Sequence, residues 1–150
     1  MAASDELPHG ASDHHPIGEV MQMAMVVAWR IQQHFATRAA EFDLSATQAK
    51  VLLSLRPEER LPMKRVAERI PYDASNLTDF VDKLEARGVL MRLPDASDRR
   101  VKALALTEEG LRLREEFWDR LVTDAGPLAS LSDAQVQELR NLFHLILAID

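Results

Sequence analysis

The stretch Leu90-Met91-Arg92-Leu93-Pro94-Asp95-Ala96-Ser97-Asp98-Arg99-Arg100-Val101-Lys102-Ala103-Leu104-Ala105-Leu106-Thr107-Glu108-Glu109-Gly110 decides how the rest of this 150-residue chain is read. Two short apolar runs, about 89–93 and 100–106, flank a turn, and Val101, Ala103 and Ala105 alternate with Lys102, Leu104 and Leu106 at the period of a strand. Pro94 to Asp98 is turn chemistry, and Thr107 caps a following helix that runs to about Thr123. The pattern predicts a two-stranded ribbon with Arg99 and Arg100 at its tip, a shape suited to reaching into a nucleic-acid groove.

Upstream, apolar spacing and breakers mark helices. Leu77, Phe80, Val81 and Leu84 form a buried stripe on a helix over about 74–87, capped by Asp73 and stopped by Gly88. Pro62 suits the first position of a shorter helix over about 62–70, with Val66, Ala67 and Ile70 inward and Pro71 ending it. Ser45 and Gln48 fit a capping box at the start of another helix, which stops near Arg56-Pro57. Helix, short helix, helix and ribbon in this order make a helix-turn-helix followed by a wing.

The flanking segments read differently. Residues from Pro16 to about Glu41 carry apolar side chains at helical spacing, and Met23, Met25 and Val26 widen the stripe beyond what a one-sided surface helix needs. On the helix after Thr107, Leu111, Arg114, Trp118 and Leu121 or Val122 line one side, and Gly126-Pro127 breaks it. A last helix, with Ser132 and Gln135 as its capping box, is apolar around so much of its circumference that another chain is expected to cover it.

Composition narrows the class. There is no cysteine, which excludes disulfides, thiol redox sensing and cysteine-ligated metal. No apolar run reaches the ~18 residues of a membrane span, so a cytoplasmic protein without a membrane partner is expected. Residues 1–15 read as a disordered tail. The net charge of −6 is unevenly spread: residues 56–102 hold 11 basic against 9 acidic residues, and the remainder 7 against 15. Positive charge therefore concentrates on the helix-turn-helix and wing, where a polyanion would meet it. Gly-rich phosphate loops, HExxH and nucleophile elbows are absent, so neither an enzyme nor a cofactor is expected. His9, His14 and His15 lie in the tail, and His34 and His144 are isolated on apolar helices, which is the usual setting of packed histidines rather than of a metal site.

Two motifs carry a family resemblance. Asp98-Arg99-Arg100 followed by Leu106-Thr107 and Gly110, together with residues 73–92 (DASNLTDFVDKLEARGVLMR), closely resemble the MarR family of bacterial winged-helix regulators, over roughly residues 16–150. The resemblance implies a mainly α fold with a small β-wing: a winged helix-turn-helix lobe at 44–107, and a helical dimerisation region formed by 16–43 and 108–150. It implies a homodimer whose recognition helices enter major grooves about one turn (~34 Å) apart on a pseudo-palindromic operator. Regulation by a small, often aromatic or phenolic, effector and action as a repressor are further implications.

The expected DNA-contacting residues are Ser75, Asn76 and Thr78 at the start of the recognition helix, Lys83 further along it, Arg65 and Arg69 on the helix before it, and Asp98, Arg99 and Arg100 at the wing. The start of a recognition helix is where side chains reach base edges. By the resemblance, Arg100 enters the minor groove, braced by Asp98, and a narrow minor groove attracts arginine. Arg99 suits a phosphate. Arg87 suits either a phosphate or the last carbonyls of its helix. Asp79 departs from the family, which often carries a small or basic residue there; pairing with Arg65 or Arg69 is preferred over accepting from cytosine N4. Trp29, His34, Phe117 and Trp118 are candidates for an effector cleft by position, with ordinary core packing as the competing role. The acidic net charge and Asp79 also keep open a winged-helix protein-interaction module without an operator of its own.

Overall fold

A computed structural model describes residues 16–70 and 76–148. The expected tail, the Asp73 cap, Pro71 and Ser75 lie outside the described residues. The elements are α1 (Pro16–Ala40), α2 (Ala46–Ser54), β1 (Leu61–Pro62), α3 (Met63–Arg69), α4 (Leu77–Ala86), β2 (Leu90–Pro94), β3 (Lys102–Leu106), α5 (Glu108–Thr123), a 3-10 turn (Gly126–Leu128) and α6 (Asp133–Leu147). They form a mainly helical winged-helix fold with one small antiparallel sheet.

Local chemistry accounts for three of the helix starts. The Ser45 hydroxyl accepts from the Gln48 N–H (3.1 Å) while the Gln48 side chain accepts from the Ser45 N–H (2.8 Å), a complete capping box on α2. Ser132 and Gln135 do the same for α6. Thr107 caps α5 by accepting from the Gly110 N–H, and its own hydroxyl donates to the Gly88 carbonyl at 2.6 Å. That second bond ties the end of α4 to the start of α5. Gly110 is required there by close approach: a Cβ would collide with the Val89 carbonyl oxygen. The Thr107-to-Gly110 half of the motif is thus a joint between elements.

The sheet has order β1-β3-β2, so the wing has a third strand that the sequence reading lacks. Pro62, expected as the first residue of a helix, instead closes β1 opposite Ala103 and stands just before α3. With φ −56° and ψ 145° it is extended, and an edge strand tolerates its missing N–H. Placing β3 in the centre also removes the expected alternation: Ala103, Leu104 and Ala105 are all buried.

The core is built from α2, α3, α4, the sheet and one face of α5. That face is Gly110, Leu113 and Phe117; of the expected Leu111–Arg114–Trp118–Leu121 or Val122 side, Leu121 packs half-buried against the core, whereas Trp118 and Val122 are exposed. Phe117 is fully buried and meets Phe35 and Phe42 edge-on, with ring centroids 5.4 and 5.7 Å apart, which fastens the end of α1 to α5. Ala125, at φ 52°, ends α5 before the expected Gly126-Pro127 break. Beyond Ala39, α1 has no buried residue, and α6 has none. Between them, Val20, Val27, Ile31, Leu139, Leu142 and Ile146 line an apolar groove of about 560 Å³. Among the described residues no helix is long and apolar enough to cross a membrane.

Candidate nucleic-acid interface

The wing tip is organised by two aspartates. Strand pairing runs from Leu90 opposite Leu106 to Pro94 opposite Lys102, and the Asp95 N–H then donates to the Val101 carbonyl at 2.9 Å. Within the loop, the Asp95 carboxylate accepts from the Ser97 hydroxyl, the Ser97 N–H (3.0 Å) and the Asp98 N–H (3.3 Å). These bonds, the Ser97 hydroxyl first, hold the Asp95 carboxyl below its ordinary pKa. The Asp98 carboxylate accepts from the Arg100 N–H at 3.0 Å. Asp98 therefore braces the backbone of Arg100 and not its guanidinium. Both arginine side chains are exposed, with no side-chain hydrogen bond or ion pair among the described residues. Short Asx turns thus present two free cations at the end of a rigid ribbon.

The second helix of the helix-turn-helix motif, α4, buries Leu77, Val81 and Leu84 and leaves Asn76, Thr78, Asp79, Asp82 and Lys83 exposed. Asn76 stands just before its first turn and makes no side-chain capping bond, so its amide is not spent on the helix start. Lys83 pairs with Asp79 at 2.8 Å. The expected partners of Asp79 are engaged elsewhere: Arg65 pairs with Glu68 (3.1 Å), and Arg69 grips Glu59 through two 2.7 Å bonds and the Ser54 carbonyl at 2.8 Å. A partner four residues along the same helix is closer to hand than one across the motif. The Arg69 guanidinium holds the Glu59 carboxyl below its ordinary pKa.

Arg92, which the sequence reading passed over, is a joint. From β2 it pairs with both Asp82 and Glu85, one turn apart on α4. These carboxylates, Asp82 first, raise the already high pKa of Arg92. The wing root and the exposed helix are thereby tied together by charge. An arginine in an apolar run, ten residues after an aspartate, is too common a pattern to flag such a contact in advance. Arg87 donates to the carbonyls of Phe42 (2.8 Å) and Asp43 (3.3 Å), in the turn after α1, and not to those of its own helix.

The four cleft candidates do not converge. Phe117 is core, whereas Trp29 and Trp118 are 59% and 51% exposed. His34 lies under Gly126, where a Cβ would meet its ring at 2.6 Å, and its Nε2 donates to the Leu121 carbonyl at 3.1 Å, with Asp124 at 3.2 Å. Asp124 also binds Arg38 at 2.6 Å, and Glu41 joins Arg120 (2.7 Å) to Arg38. Arg120, then Arg38, keeps the Glu41 carboxyl below its ordinary pKa. A separate cleft of about 400 Å³ opens between α1 and α2, lined by Ile31, Gln32, Phe35, Ala36, Ala46 and Lys50. Among the described residues, no group of three His, Asp or Glu side chains could hold a metal ion.

Known proteins are similar to this chain in part of its sequence and in its fold. A family model described as the MarR family matches residues 44–102. The HTH-type transcriptional regulator SarZ of Staphylococcus saprophyticus is 34% identical over 85 residues, 57% of this chain and 58% of that protein. The chain thus spans little more than half the length of the curated relatives it matches. Among solved structures, CouR from Rhodococcus jostii RHA1 bound to p-coumaroyl-CoA superposes with a TM-score of 0.72 at 27% identity, covering 89% of this chain and 95% of that one. A MarR family transcriptional regulator from Rhodococcus sp. RHA1 does so with a TM-score of 0.74 at 26% identity, covering 89% and 96%.

Proposed function

We propose, from the match of the MarR family model to residues 44–102, that the protein is a dimeric, sequence-specific DNA-binding transcriptional regulator of that family, a repressor released by a small ligand. The observation that carries the reading is the pairing of a free Arg99–Arg100 tip, held by Asp95 and Asp98, with an exposed helix α4 tied to the same wing by Arg92. In this reading 44–107 is the DNA-binding lobe. Asn76, Thr78 and Lys83 face the major groove, Arg100 enters the minor groove, and Arg99 and Arg65 meet phosphate. Arg69 holds α3 against the preceding loop. Segments 16–43 and 108–150 form the dimer, because exposed apolar residues on α1 and α6 need cover that this chain does not provide. Two lobes on one rigid dimer then address two half-sites.

For the ligand, the cleft between α1 and α2 is the best-placed cavity, since it lies where the dimerisation helix meets the lobe. A ligand there acts only through different affinities for the DNA-competent and released arrangements. The p-coumaroyl-CoA in the CouR structure makes phenolic acids and their CoA thioesters the first compounds to titrate. One observation favours the interaction-module alternative: α4 carries Asp79, Asp82 and Glu85 against a single Lys83.

Fluorescence anisotropy on the DNA upstream of the protein's own gene, at two salt concentrations, separates the readings. Wild type should bind and weaken steeply with salt. Arg100→Ala should bind about tenfold more weakly, with a salt slope shallower by about one. Salt-independent binding without sequence preference would favour the interaction module.

A further inference from the structure

Helix α4 leaves three carboxylates outside the core, and the fold accounts for two of them. Asp82 and Glu85 are both held by Arg92 at the wing root. Asp79 is placed differently. At 3.6 residues per turn it lies, with Ala86, on the side of α4 opposite the buried Leu77–Val81–Leu84 stripe, in the first turn of the helix. Its side chain is 60% exposed. Its partner there is the equally exposed Lys83, whose Nζ meets Oδ2 at 2.8 Å. Such a pair opens at little cost. It offsets the repulsion between a carboxylate and phosphate while leaving Oδ1 able to accept.

An ionised carboxylate accepts hydrogen bonds and donates none. On the major-groove edge the donors are the amino groups of cytosine N4 and adenine N6. Adenine N6 stands between two acceptors, its own N7 and thymine O4, which repel a carboxylate. Cytosine N4 has an acceptor only on the guanine side, and its own ring offers C5–H on the other. We infer that Asp79 is a specificity-determining residue that selects a cytosine at one position of each half-site, with Lys83 as its neutralising partner. The inference rests on the DNA-binding reading above.

Selection from random-sequence DNA by the full-length protein, followed by anisotropy on single duplexes, tests it for wild type, Asp79→Ala and Asp79→Asn. The wild-type motif should hold a cytosine in each half-site, and replacing it by thymine should weaken binding about tenfold. In Asp79→Ala that penalty should fall to about twofold or less while the other positions keep their preferences, which also shows that the variant is folded. Asp79→Asn should move the position toward adenine. Uniformly tighter binding by Asp79→Ala with unchanged base preferences would overturn the inference and leave the DNA-binding reading intact. An A·T pair, and not a C·G pair, at the position lost in Asp79→Ala would do the same. Failure of the wild type to enrich any motif would overturn both.

Discussion

The lobe at 44–107 and the two outer helices α1 and α6 draw on the same kinds of apolar residue but use them in opposite ways. In the lobe, Leu52, Leu55, Val66, Val81, Leu84 and Leu104 are fully buried by their own chain. On α1 and α6, Val20, Met23, Leu142 and Ile146 are more than half exposed. The lobe closes because short helices and a three-stranded sheet surround a common centre. Two long helices present stripes that one chain does not cover. Stability of the first region is therefore intramolecular, and that of the second is expected to depend on concentration.

The bridge between the regions gives the largest expected effect. Phe117→Ala removes a fully buried ring from the contacts with Phe35 and Phe42, and should cost about 3–5 kcal/mol in urea unfolding. A loss below about 1 kcal/mol would mean that α1 and α5 are not fastened there. Next is the outer surface itself. Leu142→Glu with Ile146→Glu should leave the lobe folded by circular dichroism, convert a dimer to a monomer in light scattering, and weaken operator binding about a hundredfold as the two half-site contacts uncouple. Wild type that is already monomeric at high micromolar concentration would break the comparison.

The smallest effect lies at the edge of the lobe. Arg69 holds the Glu59 carboxyl below the ordinary value of 4.5, so the native state binds its proton less readily than the unfolded chain. The pair stabilises above that value and loses its contribution as pH falls through the lowered native one. Arg69→Met should lower the urea midpoint by roughly a few tenths molar at pH 7, and the gap should narrow at pH 3. A gap of equal size at both would show that the Ser54 carbonyl bond, and not the charge pair, is what Arg69 supplies.

Much of the wing was legible because its signals are local. A strand, a turn with Asp95 and Asp98, and a strand closed by Thr107 need only neighbouring residues, and the capping boxes at Ser45 and Ser132 are likewise complete within four residues. The third strand was not legible. Two residues at Leu61–Pro62 have no periodicity of their own and become a strand only when Leu104 and Ala103 lie opposite. The full inward face of α5 is not legible either: Trp118 outweighs Leu113 and Gly110 in apparent hydrophobicity, whereas the choice of face depends on what α1 and Val89 present to it. Charges follow the same rule. Arg65, Arg69, Arg87 and Arg92 all look alike as exposed cations in a basic stretch, and only their surroundings separate Arg92 at the wing root from Arg87 on the turn after α1.

The sequence by itself determined the order of helices and wing, the caps that start α2, α5 and α6, the arginine pair at the tip and the excess of apolar surface on the outer helices. All of these follow from spacing, φ/ψ preference or composition within a few residues. Only the tertiary structure decided which face of α5 is core, that Pro62 belongs to a sheet, that Asp98 braces a backbone rather than a side chain, and that Arg92 removes two of the three acids from α4 while Asp79 keeps its place facing outward. Those are contacts between residues that are distant in sequence or share one short turn, and their energies depend on distance and burial, which arise only once the chain has closed on itself.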